Sequence, residues 1–198
     1  MTKIEALAKF LGIETSEITE DMNNHKYFET EYGEDFMVLT DDEADEEFYN
    51  YESDLIEELG LDAFTKWARD YIIENFVDLD WFEDYFREDY ESYVNDIESE
   101  STSSDEYENR LEEKMAETEC VDVEEFIDYL VDSVSDDFVG EFEFQLGKDA
   151  LTKVILDNGL LDIDKVIDYI KEEDGRGVLA DYDGVENEEG EYYIYRTN

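Results

Sequence analysis

Apolar residues recur along this chain in steps of three and four, broken in places by short alternating runs. The pattern predicts helices joined to small strands. Ile4, Leu7, Ala8 and Leu11 share one helical face behind a Thr2-Lys3-Ile4-Glu5 capping box, with Gly12 as the stop. Residues 13–26 are polar and show no readable period. Lys26 to Tyr32 and Phe36 to Leu39 read as two strands of a hairpin that turns at Tyr32-Gly33-Glu34-Asp35. Thr40-Asp41-Asp42-Glu43 is a second capping box. It opens a helix with the stripe Ala44, Phe48, Tyr51, Leu55 and Leu59, ended by Gly60. Asp62 is placed to cap the next helix, whose apolar face is Phe64, Trp67, Ala68, Tyr71, Ile72 and Phe76.

The stretch from Asp78 to Glu108 is the most unusual. It is dense in carboxylates and has one basic residue, Arg87, yet it also holds Trp81, Phe82, Tyr85, Phe86, Tyr90, Tyr93 and Tyr107. A disordered acidic tail lacks such residues because it has no face to bury. Here Trp81, Tyr85, Phe86 (or Phe82), Tyr93 and Ile97 fall at helical spacing, and most of the acids fall outside that stripe. The expectation is a folded scaffold holding a row of carboxylates in fixed positions.

Beyond it, Glu98 to Ser104 is Ser-rich and reads as a flexible loop. Ser104 is placed to cap a helix bearing Tyr107, Leu111 and Met115. Asp122-Val123-Glu124-Glu125 starts another, with Val123, Phe126, Ile127, Leu130, Val131 and Val134. Glu141 to Leu146 alternates like a strand but also fits a continued helix. Lys148 to Leu156 is helical up to Asn158-Gly159, and Asp162 caps a helix with Ile163, Val166, Ile167 and Ile170, broken at Asp174-Gly175-Arg176-Gly177. Val178 to Ala180, Val185 to Glu188 and Glu191 to Arg196 read as strands. No internal repeat is visible. The predicted fold is α+β and predominantly α-helical, with small β elements near the N- and C-terminal ends. It forms a single compact acidic domain over 1–198, or else divides into 1–103 and 104–198 at the Ser-rich stretch.

Composition sharpens this picture. Of 198 residues, 62 are Asp or Glu and 14 are Lys or Arg, a formal net charge of -48. Such a charge ordinarily marks disorder, but 15% aromatic and 41% hydrophobic residues supply a core. Proline is absent and glycine sparse, which argues against long linkers. A surface of this sign repels free nucleic acid and anionic membrane and attracts proteins with basic clefts. No apolar run approaches the length of a membrane span, and the N-terminal segment, with Glu5 inside its apolar run, does not read as a signal peptide. One cysteine, Cys120, allows no internal disulfide, and a cytoplasmic setting is expected.

Catalytic patterns are missing. One histidine, His25, and one cysteine cannot make a Cys/His metal site or a credible triad. His25 reads as an ordinary surface residue and Cys120 as a small buried or half-buried hydrophobe. Asp174-Gly175-Arg176-Gly177 lacks the donors of a phosphate loop and reads as a turn. Asp181-Tyr182-Asp183-Gly184 does not match the spacing of an EF-hand loop. No enzymatic activity, cofactor or dedicated metal is expected.

What remains is the charge itself. Duplex DNA carries one negative charge per roughly 1.7 Å of axis, so the net charge matches that of about 24 base pairs. Acids four apart on a helix lie about 6 Å from each other, on the scale of neighbouring phosphates. The expected partner-binding residues are Asp78, Asp80, Glu83, Asp84, Glu88, Asp89, Glu91 and Asp96, joined by Asp41, Asp42, Asp45 and Glu46. The alternatives are salt adaptation, mere solubility, or a chaperone-like role for basic partners.

Two segments carry a resemblance. Asp35-Phe36-Met37-Val38-Leu39-Thr40-Asp41-Asp42-Glu43-Ala44-Asp45 is similar to a strand-to-helix segment of acidic phage-encoded proteins. So are Asp174-Gly175-Arg176-Gly177, Tyr182-Asp183-Gly184 and Tyr192-Tyr193-Ile194-Tyr195-Arg196-Thr197-Asn198. The resemblance implies a phage or prophage origin and assigns no catalytic residue. The family pattern is less acidic in its middle, which directs attention to Asp78 to Glu108. In charge and compactness the chain also resembles DNA-mimic anti-restriction and anti-CRISPR proteins. That likeness implies a monomeric or homodimeric inhibitor, in the host bacterial cytoplasm, of a Cas nuclease or restriction-modification enzyme. It would occupy the basic nucleic-acid cleft and bind no nucleic acid itself.

Overall fold

The computed structural model describes residues 1–101 and 103–198, the side chains of Glu98, Glu100 and Asp105 excepted. In chain order the elements are α1 (Lys3–Leu11), β1 (Ile18–Glu20), β2 (Tyr27–Thr30), β3 (Asp35–Leu39), α2 (Asp41–Leu59), α3 (Lys66–Phe76), α4 (Asp80–Glu100), α5 (Ser104–Thr118), α6 (Val123–Val134), α7 (Phe138–Leu146), α8 (Lys148–Asp157), α9 (Ile163–Asp174), β4 (Asn187–Glu189) and β5 (Tyr192–Arg196). The α+β, mainly helical character read from the periodicity is what the chain adopts. It divides into two compact units, Met1–Glu58 with Ile163–Asn198, and Leu59–Asp162. The second is inserted in sequence within the first. The Ser-rich stretch belongs to the second unit; residues 98–100 of the expected loop are the end of α4 and Ser104 opens α5, and the loop expectation also falls on Thr102, outside the described residues.

The first unit is built on an antiparallel sheet of order β1-β2-β3-β5-β4, in which the small strands from both ends of the sequence meet. β3 pairs β5 with Met37 opposite Tyr195 and Val38 opposite Ile194. Against it packs α1, capped by Thr2 and Glu5 reciprocally and closed by Gly12 in the left-handed region. Leu7, Ala8, Ile18, Phe28, Phe36, Val38 and Ile194 form its core. β1, in a stretch without a readable period, buries only Ile18 and is held by backbone pairing to β2, which pattern reasoning does not detect. The capping box at Thr40 holds as read, with Glu43 N–H donating to Thr40 Oγ1 and Thr40 N–H to Glu43 Oε2. The buried stripe of α2 is Ala44, Phe48, Glu52 and Ile56, not the expected line through Tyr51, Leu55 and Leu59. Tyr51 and Leu59 are exposed. Val178 to Ala180 is not a strand. It belongs to a 3-10 turn at Gly177–Leu179, because Gly177 must lie against the backbone of Gly184, where a Cβ would come within 2.4 Å of the carbonyl oxygen.

The second unit is helical. α4 packs on α5, α6 and α7. Its buried positions are Phe82, Phe86, Val94 and Ile97, while Tyr93 of the expected stripe turns outward beneath Lys114 Nζ, 5.4 Å from the ring centroid. Trp81, Phe82 and Tyr85 contact Phe142 of α7 edge-on, and Phe86 stacks on Phe138. These rings need helical presentation from both sides, so Glu141 to Leu146 resolves as helix. A second cluster joins Val94, Leu111, Phe126, Ile127 and Val131. α3 is capped by Thr65, with Ala68 N–H donating to its Oγ1, and not by Asp62, whose carboxylate takes Lys148 instead. α5 is capped by Ser103, one residue before the expected Ser104. An isolated bridge between Val77 and Leu161, flanked by Asp78 N–H to Leu160 O at 2.8 Å and Asp162 N–H to Phe76 O at 3.0 Å, ties the α3–α4 junction to the end of the insertion.

Candidate functional site

α4 is 21 residues long, so it spans about 30 Å. Asp80, Asp84, Glu88 and Glu91 follow at steps of four, four and three and so form one line along it. Glu83 lies on one flank, Asp89 and Asp96 on the other, and Asp78 sits in the preceding turn. All eight are exposed. The aromatic anchors beneath explain why: with Phe82, Phe86, Val94 and Ile97 held in the core, the helix has no freedom to roll, and the carboxylates are fixed outward. Asp78 Oδ1 accepts the Asp80 N–H at 3.1 Å, while the Asp78 N–H is fastened to Leu160, so the start of the row is anchored as well.

The cation inside this row is directed inward. Arg87 Nη2 lies 2.8 Å from Asp128 Oδ1 on α6. The hydrogen bond to Asp128 raises the Arg87 pKa, with Glu83 and Glu91 adding to the effect. Arg87 therefore straps α4 to α6 and leaves the row negative. Among the described residues none of the eight carboxylates is in an ion pair. Burial first, then the charge of Asp89, lifts the phenol pKa of Tyr85; burial, then Glu141 of α7, then Asp89, lifts that of Tyr90.

The four remaining predicted residues lie in the first unit and sit differently. Asp41 and Asp45 are bound by Arg176, at 2.9 and 2.6 Å from its Nη1. Lys171 also pairs with Asp45, at 2.7 Å, and Lys26 approaches Glu46 at 3.8 Å. Among the described residues Asp42 alone of the four has no ion pair. The partners of the other three are internal, so the row on α4, with Asp42, is the part of the predicted set that is free for an outside cation.

Arg176 is the residue that pattern reasoning missed. Only 7% of its surface is exposed. Its Nε and Nη2 fork onto Glu186, its Nη1 donates to Asp41 and Asp45, and its guanidinium lies 4.3 Å over the Tyr193 ring. Tyr195, fully buried, donates its hydroxyl to Glu186 at 2.6 Å. Burial works against the Arg176 charge, but the Glu186 and Asp41 carboxylates outweigh it and hold its pKa above the ordinary value. Burial, then the bond to Glu186, raises Tyr195 strongly. The available signal was an arginine between two glycines: Gly175 is left-handed and Gly177 has no room for a Cβ. Segments from both ends of the chain thus converge here. The start of α2 supplies Asp41 and Asp45, the Gly-Arg-Gly turn supplies Arg176, and β5 supplies Tyr193 and Tyr195. In this chain those segments fasten the first unit.

His25 is exposed, with Nδ1 2.7 Å from Glu20 Oε1. Cys120 is half-buried beside the second cluster and accepts a hydrogen bond from Thr118 Oγ1 at 3.1 Å. Among the described residues no group of three or more His, Cys, Asp or Glu is arranged to hold a metal ion, and no helix is long and apolar enough to cross a membrane. No family model matches the chain, and no similar curated protein or solved structure is found.

Proposed function

We propose that this protein is a non-enzymatic DNA mimic that acts in the bacterial cytoplasm by occupying the basic nucleic-acid cleft of a defence complex, a CRISPR-Cas nuclease or a restriction enzyme. The observation that carries the reading is the α4 row: eight exposed carboxylates, seven on a helix locked by aromatic packing and Asp78 in the turn before it, none of them in an ion pair among the described residues. A cleft that binds DNA gains attraction and counterion release from phosphates, and it gains the same terms from carboxylates at similar spacing. Preorganisation matters because a disordered acidic chain would lose affinity to its own ordering entropy. The resemblance to acidic phage-encoded proteins fits a role against host defence.

The test is affinity capture from a bacterial lysate followed by competition with duplex DNA. The expected result is a nucleic-acid-binding partner whose DNA and this protein exclude one another. A partner that holds both at once, with undiminished affinity for each, would refute cleft occupancy.

A further inference from the structure

α3 exposes a face that its core packing does not explain. Ile72 is its one fully buried side chain. On the side away from it stand Trp67, Asp70, Tyr71 and Glu74, at steps of three, one and three. Trp67 is 71% exposed, and its ring stacks on Tyr71 with centroids 6.4 Å apart and planes 16° from parallel. Leaving a tryptophan in water forgoes the large stabilisation its burial would bring, and exposed Trp and Tyr on one helix face are the side chains that dominate binding interfaces.

The chemistry around the pair defines what would cover it. Asp70 and Glu74 line a groove of about 620 Å³, whose opposite wall carries Asp136 and Asp137 in the turn before α7. Its basic lining residue is Lys66, so four carboxylates face one ammonium. Asp137 is partly engaged, since its carboxylate accepts the Gly140 N–H at 2.9 Å to cap α7. Asp70, Glu74 and Asp136 are exposed and, among the described residues, form no ion pair. A neutral apolar partner would have to desolvate these acids without compensation. A lysine would be attracted by charge but gains less from a flat ring than a guanidinium, which stacks on an aromatic face while its N–H groups fork onto carboxylates.

We infer that the α3 face and its groove are a docking surface for an arginine-rich segment of a partner protein, with a guanidinium stacked on Trp67 and others held by Asp70, Glu74 and Asp136. The inference rests on the DNA-mimic reading only in expecting a basic partner. It adds a second contact surface whose selectivity comes from stacking and not from total charge. A DNA-binding protein presents such arginines where it grips phosphate and base together.

The test uses the full chain and two fluorescent peptides of equal length and charge, one alternating Arg with Gly and the other Lys with Gly, followed by anisotropy. The Arg peptide should bind about tenfold more tightly than the Lys peptide. Trp67→Ala should bring the two to within about twofold of each other, and Trp67→Phe, which keeps a flat ring, should retain most of the preference. Because Trp67 is largely in solvent, the alanine variant should keep its far-UV spectrum. Asp70→Asn with Glu74→Gln should weaken both peptides. Equal affinity for the two peptides in the unaltered protein, or an Arg preference that survives Trp67→Ala, would overturn the inference. Charge reversal along α4 should weaken both peptides alike and leave their ratio unchanged, so a failure of the α4 reading is distinguishable from a failure at α3.

Discussion

Glu52 is a carboxylate where the period of α2 calls for an apolar side chain. It stands between Phe48 and Ile56 and is 6% exposed. Burial raises its pKa, and the nearby charge of Asp174 raises it further. A carboxyl group whose folded pKa lies above its unfolded value favours the folded state when protonated. Its penalty is therefore absent at pH below the unfolded value and grows as pH rises through the raised one. Glu52→Gln should raise the melting temperature by roughly 2–4 °C at pH 7, as expected for a gain near 1 kcal/mol in a chain of this size. The difference from the unaltered protein should shrink as pH approaches 4; a gain that is the same at both pH values would mean that the fold does not raise the Glu52 pKa above its unfolded value. Arg176 is the opposite case, a buried charge with full compensation. Arg176→Met strands Glu186 and Asp41, leaves Asp45 to Lys171 alone, and should lower stability by about 3 kcal/mol in urea denaturation. Partner binding through α4 should survive wherever the variant stays folded. A loss well under 1 kcal/mol would show that the convergence on Arg176 is not what closes the first unit. Neither residue is legible in the pattern alone. A glutamate on a stripe reads as a flaw in the stripe, and an arginine in a turn reads as exposed.

At the scale of elements, the helices with caps and stops are the legible part. Thr2 with Glu5, Thr40 with Glu43, and Asp122 all cap where their spacing places them, because a cap is a local event fixed by neighbours in sequence. The rest depended on partners far away. β1 exists because β2 lies beside it, and α7 is helical because its rings meet those of α4. The stripe of α4 ran through Val94 and not Tyr93 because Lys114 of α5 takes the tyrosine ring. The candidate row was legible as a set, since acids outside an apolar stripe must face outward. Which acids are paired internally was not, because Arg176 and Lys171 reach Asp41 and Asp45 from the other end of the chain. Reversing Asp80, Asp84, Glu88 and Glu91 to Lys should weaken partner binding by orders of magnitude, since repulsion replaces attraction. A control at Glu112, Glu113, Glu117 and Glu124 makes the same charge change on exposed positions of the same unit. Reversal near Glu186 is unsuitable, because Glu186 holds Arg176. Calorimetry on both variants decides between position and total charge: equal losses would leave the α4 row without a special role. Single acid-to-amide changes in the row should cost about 1 kcal/mol or less.

At the scale of the whole molecule, 32 acidic and 7 basic residues fall in the inserted unit and 30 and 7 in the other, so neither unit balances its own charge. Salt should therefore move two properties in opposite directions. Screening relieves repulsion within the fold, so the melting temperature should rise between low and moderate salt, while partner affinity falls steeply with log salt. Affinity unchanged by salt would exclude a phosphate-like contact. The insertion has a kinetic consequence too. Asp35 and Asn198, bonded to each other in the first unit, are separated by 163 residues, whereas the inserted unit is continuous and closed by its own Val77–Leu161 bridge. Contacts so distant in sequence form slowly, because a long loop must close before they stabilise anything. Both tryptophans, Trp67 and Trp81, lie in the inserted unit, so refolding followed by tryptophan fluorescence should finish before amide protection appears in β3 and β5. On a ribosome the acidic helices would already be in place while the sheet still waits for β5, and the insertion would act as a preassembled block around which the two outer segments of the chain find each other.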